Sequence, residues 1–142
     1  MISLLDVNVL IALGDSGHVN EKAAMVFFEK HAVLEGWATC PLTENAFLRI
    51  VSHPRYERPF PTIESARQVL ISLRNAPGHQ FWADDLSLAN ERYFPELSAS
   101  GQLTDLYLLG LAVRHGGHFV TFDTRINPSV VPGGSMALRL LS

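Results

Sequence analysis

Short apolar runs recur along this chain and are separated by stretches in which apolar residues have helical spacing. Short apolar runs that end at polar or turn-forming residues are typical of buried strands in a parallel sheet. We therefore predict five strands, at residues 2–5, 37–40, 80–83, 118–122 and 136–140.

The segments between these runs predict helices, because their apolar residues recur at intervals of about three or four. The predicted helices span residues 20–31, 43–52, 62–76, 87–94 and 104–115. Asn20 and Thr62 are predicted N-caps, and a Gly116-Gly117 pair should end the last helix. That helix is apolar almost all round, which predicts that it is buried.

Strands that alternate with helices indicate a parallel sheet covered by helices on both faces. A length of 142 residues fits one domain. The predicted fold is therefore a single three-layer α/β/α domain over residues 1–142, with a central parallel sheet of five strands. In such sheets the functional crevice lies beyond the carboxyl ends of the strands.

Four acidic residues are placed at that edge of the predicted sheet. Asp6 and Asp123 come directly after strands, whereas Glu44 and Asp105 lie near the starts of helices. Carboxylates that share a partly buried site repel one another, and a bound divalent cation removes that cost. Carboxylate oxygens suit Mg²⁺ or Mn²⁺, which can orient a phosphodiester and activate water.

Each acid also has a purely structural explanation. Asp105 could favour the dipole of its helix, Glu44 could be an ordinary first-turn acid, and Asp123 could cap a turn. Asp6 is harder to explain in this way, because it interrupts an apolar stretch and a buried unpaired charge is costly. The functional interpretation therefore depends on the four acids as a set.

Composition narrows the class of protein without identifying it. A formal net charge of −3 argues mildly against a general nucleic-acid binder, but it is compatible with acids gathered around a metal. The single cysteine, Cys40, excludes an internal disulfide and fits a reducing compartment. No apolar stretch approaches the roughly 20 residues of a membrane span, and the N-terminal run lacks the basic flank of a signal peptide. We therefore expect a cytoplasmic protein with no membrane association.

Four segments resemble the motifs of PIN-domain ribonucleases, in the same order and spacing. They are LDVNVL at residues 5–10, TENAFLR at 43–49, TDLYL at 104–108 and VTFD at 120–123. The resemblance extends over nearly the whole chain. Within that family, the sequence more narrowly resembles the VapC toxins of type II toxin–antitoxin systems.

This resemblance implies a magnesium-dependent endoribonuclease that hydrolyses RNA phosphodiesters by metal-activated water, with Mn²⁺ able to substitute. Carried over by position, it makes Asp6 and Asp105 the metal ligands. Asp123 would complete the site directly or through water, and Glu44 would bind or deprotonate a water. Asn8 and Thr121 match positions that hold these acids by hydrogen bonds, although Asn8 could also cap a short following helix and Thr121 could be an ordinary strand residue.

The resemblance also implies partners, namely an RNA substrate, a VapB-like antitoxin and a second copy of the chain in a homodimer. The densest basic stretch contains Arg49, Arg55 and Arg58. It could steer RNA phosphates, with Tyr56 stacking on a base. A solvated loop without a ligand is the alternative interpretation of the same stretch.

Two alternatives from other functional classes stay open. A phosphotransferase or phosphatase would also place an aspartate after a parallel strand. A haloacid-dehalogenase-like phosphatase would need a second aspartate where Asn8 stands, and the only lysines, Lys22 and Lys30, lie on the helix predicted at residues 20–31. The other alternative is a non-catalytic binding module with the same fold, which would have no need of all four acids.

Overall fold

The computed structural model describes residues 1–142 and contains one parallel sheet. Its strands are β1 (Ser3–Leu5), β2 (Trp37–Thr39), β3 (His79–Phe81), β4 (His118–Thr121) and β5 (Leu138–Leu140). They lie in the order β3-β2-β1-β4-β5, and every neighbouring pair is parallel. The predicted five-stranded α/β fold is confirmed.

Seven α-helices connect or flank these strands. They are α1 (Val7–Gly14), α2 (Glu21–Phe27), α3 (Val33–Glu35), α4 (Pro41–Val51), α5 (Ile63–Arg74), α6 (Leu103–Arg114) and α7 (Gly134–Ala137). A π-helical turn at Phe28–Ala32 joins α2 to α3. The longest helices have 12 residues, and none combines the length and apolarity that a membrane span requires.

Helices cover both faces of the sheet. We call one the α1 face, where α1, α2, α4 and α5 pack around Leu5 and Trp37. On the other, the α6 face, α6 and α7 pack around Leu4 and Phe119. Successive strand residues point to opposite faces of the sheet. The face of a polar residue near the end of a strand therefore follows from the face of the apolar residues before it.

The predicted helix ends are defined by different local contacts. Thr62 caps α5 by accepting the Ser65 N–H at 2.9 Å. Asn20 occupies the N-cap position of α2, but its side chain forms no capping hydrogen bond. At Gly117 a Cβ would lie 2.4 Å from the Ile2 carbonyl oxygen, so glycine is needed where the chain passes β1 on its way into β4.

Two predicted elements are wrong or displaced. Residues 87–94 form turns rather than a helix, because the side chains of Ser87 and Asn90 accept backbone N–H groups two residues further on. Met136 and Ala137 belong to α7, so β5 begins only at Leu138.

Candidate active site

Asp6 is the buried centre of the polar cluster at the carboxyl edge of the sheet. It follows β1, is 4% exposed, and is the N-cap residue of α1. One carboxylate oxygen accepts the Val7 N–H at 2.7 Å, and the other accepts the Thr121 hydroxyl at 2.7 Å. Burial raises the pKa of this carboxyl despite these hydrogen bonds, with a smaller contribution from the charge of Asp123. The cap of α1 is therefore Asp6, not Asn8.

Asn8 and Thr121 hold this arrangement together from two directions. The Asn8 amide donates to the Thr121 hydroxyl at 3.0 Å, and its carbonyl oxygen accepts the Phe122 N–H at 3.3 Å. The same hydroxyl accepts the Asp123 N–H at 3.0 Å while it donates to Asp6. Both side chains thus lie beside the acids, where the resemblance places them.

Asp105 and Asp123 complete a set of three carboxylates on the α6 face. Asp105 lies in the first turn of α6, and burial together with the charges of Asp6 and Asp123 raises its pKa to about 6. Asp123 is different, because hydrogen bonds from the Arg125 guanidinium at 3.0 and 2.9 Å lower its pKa. It also accepts the Arg125 N–H and so caps a turn, as the structural explanation of this acid required.

Glu44 is set apart from these three aspartates. Its carboxylate accepts the Thr39 hydroxyl at 2.7 Å and lies 3.4 Å from an Arg74 guanidinium nitrogen. The Thr39 hydroxyl also lies 2.8 Å from the His79 Nε2. Thr39 shares the α1 face with Trp37, whereas Asp6 follows Leu4 on the α6 face. Glu44 therefore lies at the predicted edge of the sheet, but its carboxylate forms its contacts on the α1 face, opposite the three aspartates.

The donor set of the three aspartates fits a hydrated divalent cation. No three histidine, cysteine or acidic side chains lie close enough to form a metal site made of protein ligands alone. Mg²⁺ commonly binds one or two carboxylates and keeps several waters, so such a complete set is not required. Asp6 and Asp105, whose ionised forms are disfavoured by burial, are the carboxylates that a cation would stabilise most.

The raised pKa of Asp105 predicts how stability depends on pH when metal is removed. Its pKa is about 6 in the folded protein and 3.8 as the ordinary value, so the folded state binds more protons between those limits. In EDTA, protonation of Asp105 should therefore raise the free energy of unfolding as the pH falls from 7 to 5.

Urea unfolding of wild type and Asp105→Asn at both pH values measures this contribution. The difference between the two proteins removes the contributions that other groups make equally to both. The wild type should gain stability relative to the variant at pH 5, and an equal pH dependence in both would contradict the raised pKa.

The three arginines of the basic stretch have different environments. Arg58 binds the buried Asp15 at 2.9 Å, so its charge is already compensated. Arg49 and Arg55 form no ion pair and line a cleft of about 310 Å³ with His53 and Tyr56. This cleft lies at the end of α4, and the 11 residues of α4 separate it from the carboxyl edge by roughly 16 Å.

Sequence reasoning missed two groups that shape the site and its surroundings. Arg125 was not singled out, although its guanidinium binds Asp123 through two hydrogen bonds. Asp15 was not singled out, although it accepts hydrogen bonds from Arg58, from the Tyr56 hydroxyl and from the Gly17 N–H. An aspartate directly after the apolar run of α1 was the available signal for a buried carboxylate that needs partners.

Comparison with known proteins identifies the family. The PIN domain family matches residues 3–128. Ribonuclease VapC38 of Mycobacterium tuberculosis is 42% identical over 125 residues, which cover 88% of this chain and 87% of the relative. Ribonuclease VapC44 of the same species is 39% identical over 137 residues, which cover 95% of each.

Solved structures support the fold. The chain matches a crystal structure of VapBC2 from Rickettsia felis bound to a DNA fragment from their promoter, with a TM-score of 0.67, 12% identity and full coverage of both chains. It also matches Mycobacterium tuberculosis VapC20, described as a sarcin-ricin loop cleaving toxin, with a TM-score of 0.56, 9% identity, and coverage of 80% of this chain and 83% of that one. From the family match and the identity to its relatives, the chain belongs to the PIN-domain family and, within it, to the VapC ribonucleases.

Proposed function

We propose that this protein is a metal-dependent endoribonuclease that acts as the toxin of a toxin–antitoxin pair. The observation that carries the proposal is the set of Asp6, Asp105 and Asp123 on one face of the sheet edge, with raised pKa values at the two most buried members. The relatives with 39–42% identity are ribonucleases by name, which supports RNA as the substrate.

The chain's own residues would act by binding and orientation. Asp6 and Asp105 would hold Mg²⁺, or Mn²⁺ in its place, and Asp123 would bind the hydrated ion directly or through water. Thr121 and Asn8 keep Asp6 in position through their hydrogen bonds. When bound, the cation would polarise the phosphodiester and lower the pKa of a water molecule that attacks phosphorus.

Hydrolysis by activated water predicts the ends of the products. Cleavage should leave a 5′-phosphate and a 3′-hydroxyl, because water rather than the 2′-hydroxyl is the nucleophile. EDTA should abolish activity, and added Mg²⁺ or Mn²⁺ should restore it. End-group analysis of a cleaved oligonucleotide by mass spectrometry is the test. A 2′,3′-cyclic phosphate, or cleavage that survives chelation, would overturn the mechanism.

Arg49 and Arg55 are proposed to bind RNA phosphates away from the cleavage site. Their guanidinium groups lack acidic partners and share one cleft, which is an arrangement suited to anions. Arg58 is a weaker candidate, because Asp15 and Glu57 already bind it.

A VapB-like antitoxin is proposed to inhibit the protein by covering the acidic crevice. The structural relationship to VapBC2 of Rickettsia felis supports such a partner. A basic side chain of an extended peptide could contact the aspartates, while apolar side chains supply most of the affinity. Protection of a short RNA by the purified partner tests this role, and light scattering tests the proposed homodimer.

A further inference from the structure

A small pocket next to the acidic crevice has no role in the cleavage chemistry. It has a volume of about 310 Å³ and is lined by Leu42, Asp84, Leu88, Leu103, Thr104 and Tyr107. Pockets that bind small ligands begin at about this size, so there is room for one planar ring system rather than a larger molecule. Its walls are mainly apolar, and the polar side-chain groups of its lining residues are the Asp84 carboxylate and the hydroxyls of Thr104 and Tyr107.

The pocket lies on the same face of the sheet as the three aspartates. Leu42 and Tyr107 pack against the core of the α6 face, to which Cys40 also belongs. Cys40 directly follows β2, the strand beside β1 and Asp6, and Thr104 directly precedes Asp105. Neighbouring strands are about 4.8 Å apart, so the pocket lies within reach of a base attached to a phosphodiester at the aspartates.

Asp84 gives the pocket its chemical preference. One of its oxygens accepts the Leu42 N–H at 3.1 Å, and none of the ion pairs in the structure includes it. Its charge also contributes to the raised pKa of the buried Tyr107 hydroxyl, after burial itself. An uncompensated carboxylate at an apolar pocket favours a ligand that presents N–H donors.

We propose that this pocket binds the guanine base adjoining the scissile phosphate, with Asp84 accepting its N1–H and N2–H groups. Guanine is the one RNA base whose Watson–Crick edge has two adjacent donors with no acceptor between them. Adenine and cytosine place a ring acceptor beside the amino group, and uracil flanks its single N–H with carbonyl oxygens. Those acceptors would face the carboxylate and be repelled. The inference rests on the proposed ribonuclease function and adds base selectivity to it.

The test uses the metal-loaded protein and single-stranded oligouridines with one central guanosine, inosine, adenosine or cytidine. Cleavage next to guanosine should be faster than next to uridine by at least about tenfold, as expected for hydrogen bonds to a charged group. Inosine lacks the N2 amino group and should show an intermediate rate. Asp84→Asn should lose the guanosine preference, whereas Asp85→Asn, whose carboxylate binds Arg114 instead, should keep it.

The outcomes separate this inference from the proposed function. If every oligonucleotide is cut at the same rate, or if Asp84→Asn keeps the preference, the guanine pocket is wrong and the nuclease stands. If no RNA is cut, the nuclease proposal fails, and the pocket is judged by binding alone.

In that case guanosine 5′-monophosphate should shift the methyl NMR signals of Leu88 and Leu103 more than the adenosine or uridine nucleotides do. Absence of such shifts would overturn the guanine pocket.

Discussion

Replacing Asp6 by asparagine should lower the rate of RNA cleavage by at least about a thousandfold, a loss of roughly 4 kcal/mol of transition-state stabilisation. Asp6 is the most buried acid of the site, and its ionised form is the ligand that a cation would need. The substitution keeps the size of the side chain but removes the charge. In EDTA at pH 7 the variant should be as stable as wild type or more stable, because an ionised carboxylate is disfavoured there.

Two further variants make this experiment specific. Glu64→Gln removes an exposed acid on α5 that pairs with Arg67 and should leave cleavage unchanged. Glu44→Gln should reduce cleavage much less than Asp6→Asn, since Glu44 contacts Thr39 and Arg74 rather than the three aspartates. Equal losses for Glu44→Gln and Asp6→Asn would assign Glu44 to the cleavage machinery, as the resemblance implies. Full activity of Asp6→Asn at low Mg²⁺ would refute its assigned role.

The contrast between Asp6 and Glu44 shows what sequence spacing can resolve. A carboxylate directly after a buried strand is placed at the carboxyl edge by topology alone, so Asp6 and Asp123 could be placed from the sequence. Glu44 lies on a helix, where each residue turns by about 100°, so its direction depends on how α4 sits on the sheet. The Glu44 carboxylate points toward the Thr39 hydroxyl and the Arg74 guanidinium, and the positions of both groups depend on tertiary contacts.

For the fold, too, the sequence predicted what local patterns determine and missed what depends on individual contacts. The strands and long helices were predictable because their apolar patterns are uninterrupted: apolar residues recur at helical spacing throughout α5, and α6 is apolar almost all round. The turns at residues 87–94 were not, because two local side-chain hydrogen bonds outweigh a weak helical pattern. The bidentate contact between Arg125 and Asp123 could not be predicted from the sequence either, since several acids were available to the same arginine.

Replacing Asp15 by alanine should lower the free energy of unfolding by about 2–4 kcal/mol, because Arg58, the Tyr56 hydroxyl and the Gly17 N–H would lose the carboxylate that accepts their hydrogen bonds. Asp15 is 6% exposed and joins the end of α1 to the loop after α4 through Arg58 and the Tyr56 hydroxyl. Hydrogen bonds from Arg58 are the main cause that lowers its pKa to about 2. Its contribution to stability is therefore complete above the ordinary pKa of 3.8 and is lost as the pH falls toward 2.

A matched pair of arginine variants then separates structure from RNA binding. Arg58→Ala should destabilise the fold, because Asp15 would lose its cationic partner. Arg55→Ala should change stability by no more than about 0.5 kcal/mol, since its guanidinium forms no ion pair. It should instead weaken RNA binding and reduce the slope of log K against log salt by about one. Urea unfolding measures the effect of each arginine variant on stability. Its effect on RNA binding is measured at several salt concentrations with each arginine substitution combined with Asp6→Asn, so that the RNA is not cleaved. If Arg58→Ala left stability unchanged but lowered the salt slope, Arg58 would be an RNA contact after all, and the assignment of the two arginines would have to be exchanged.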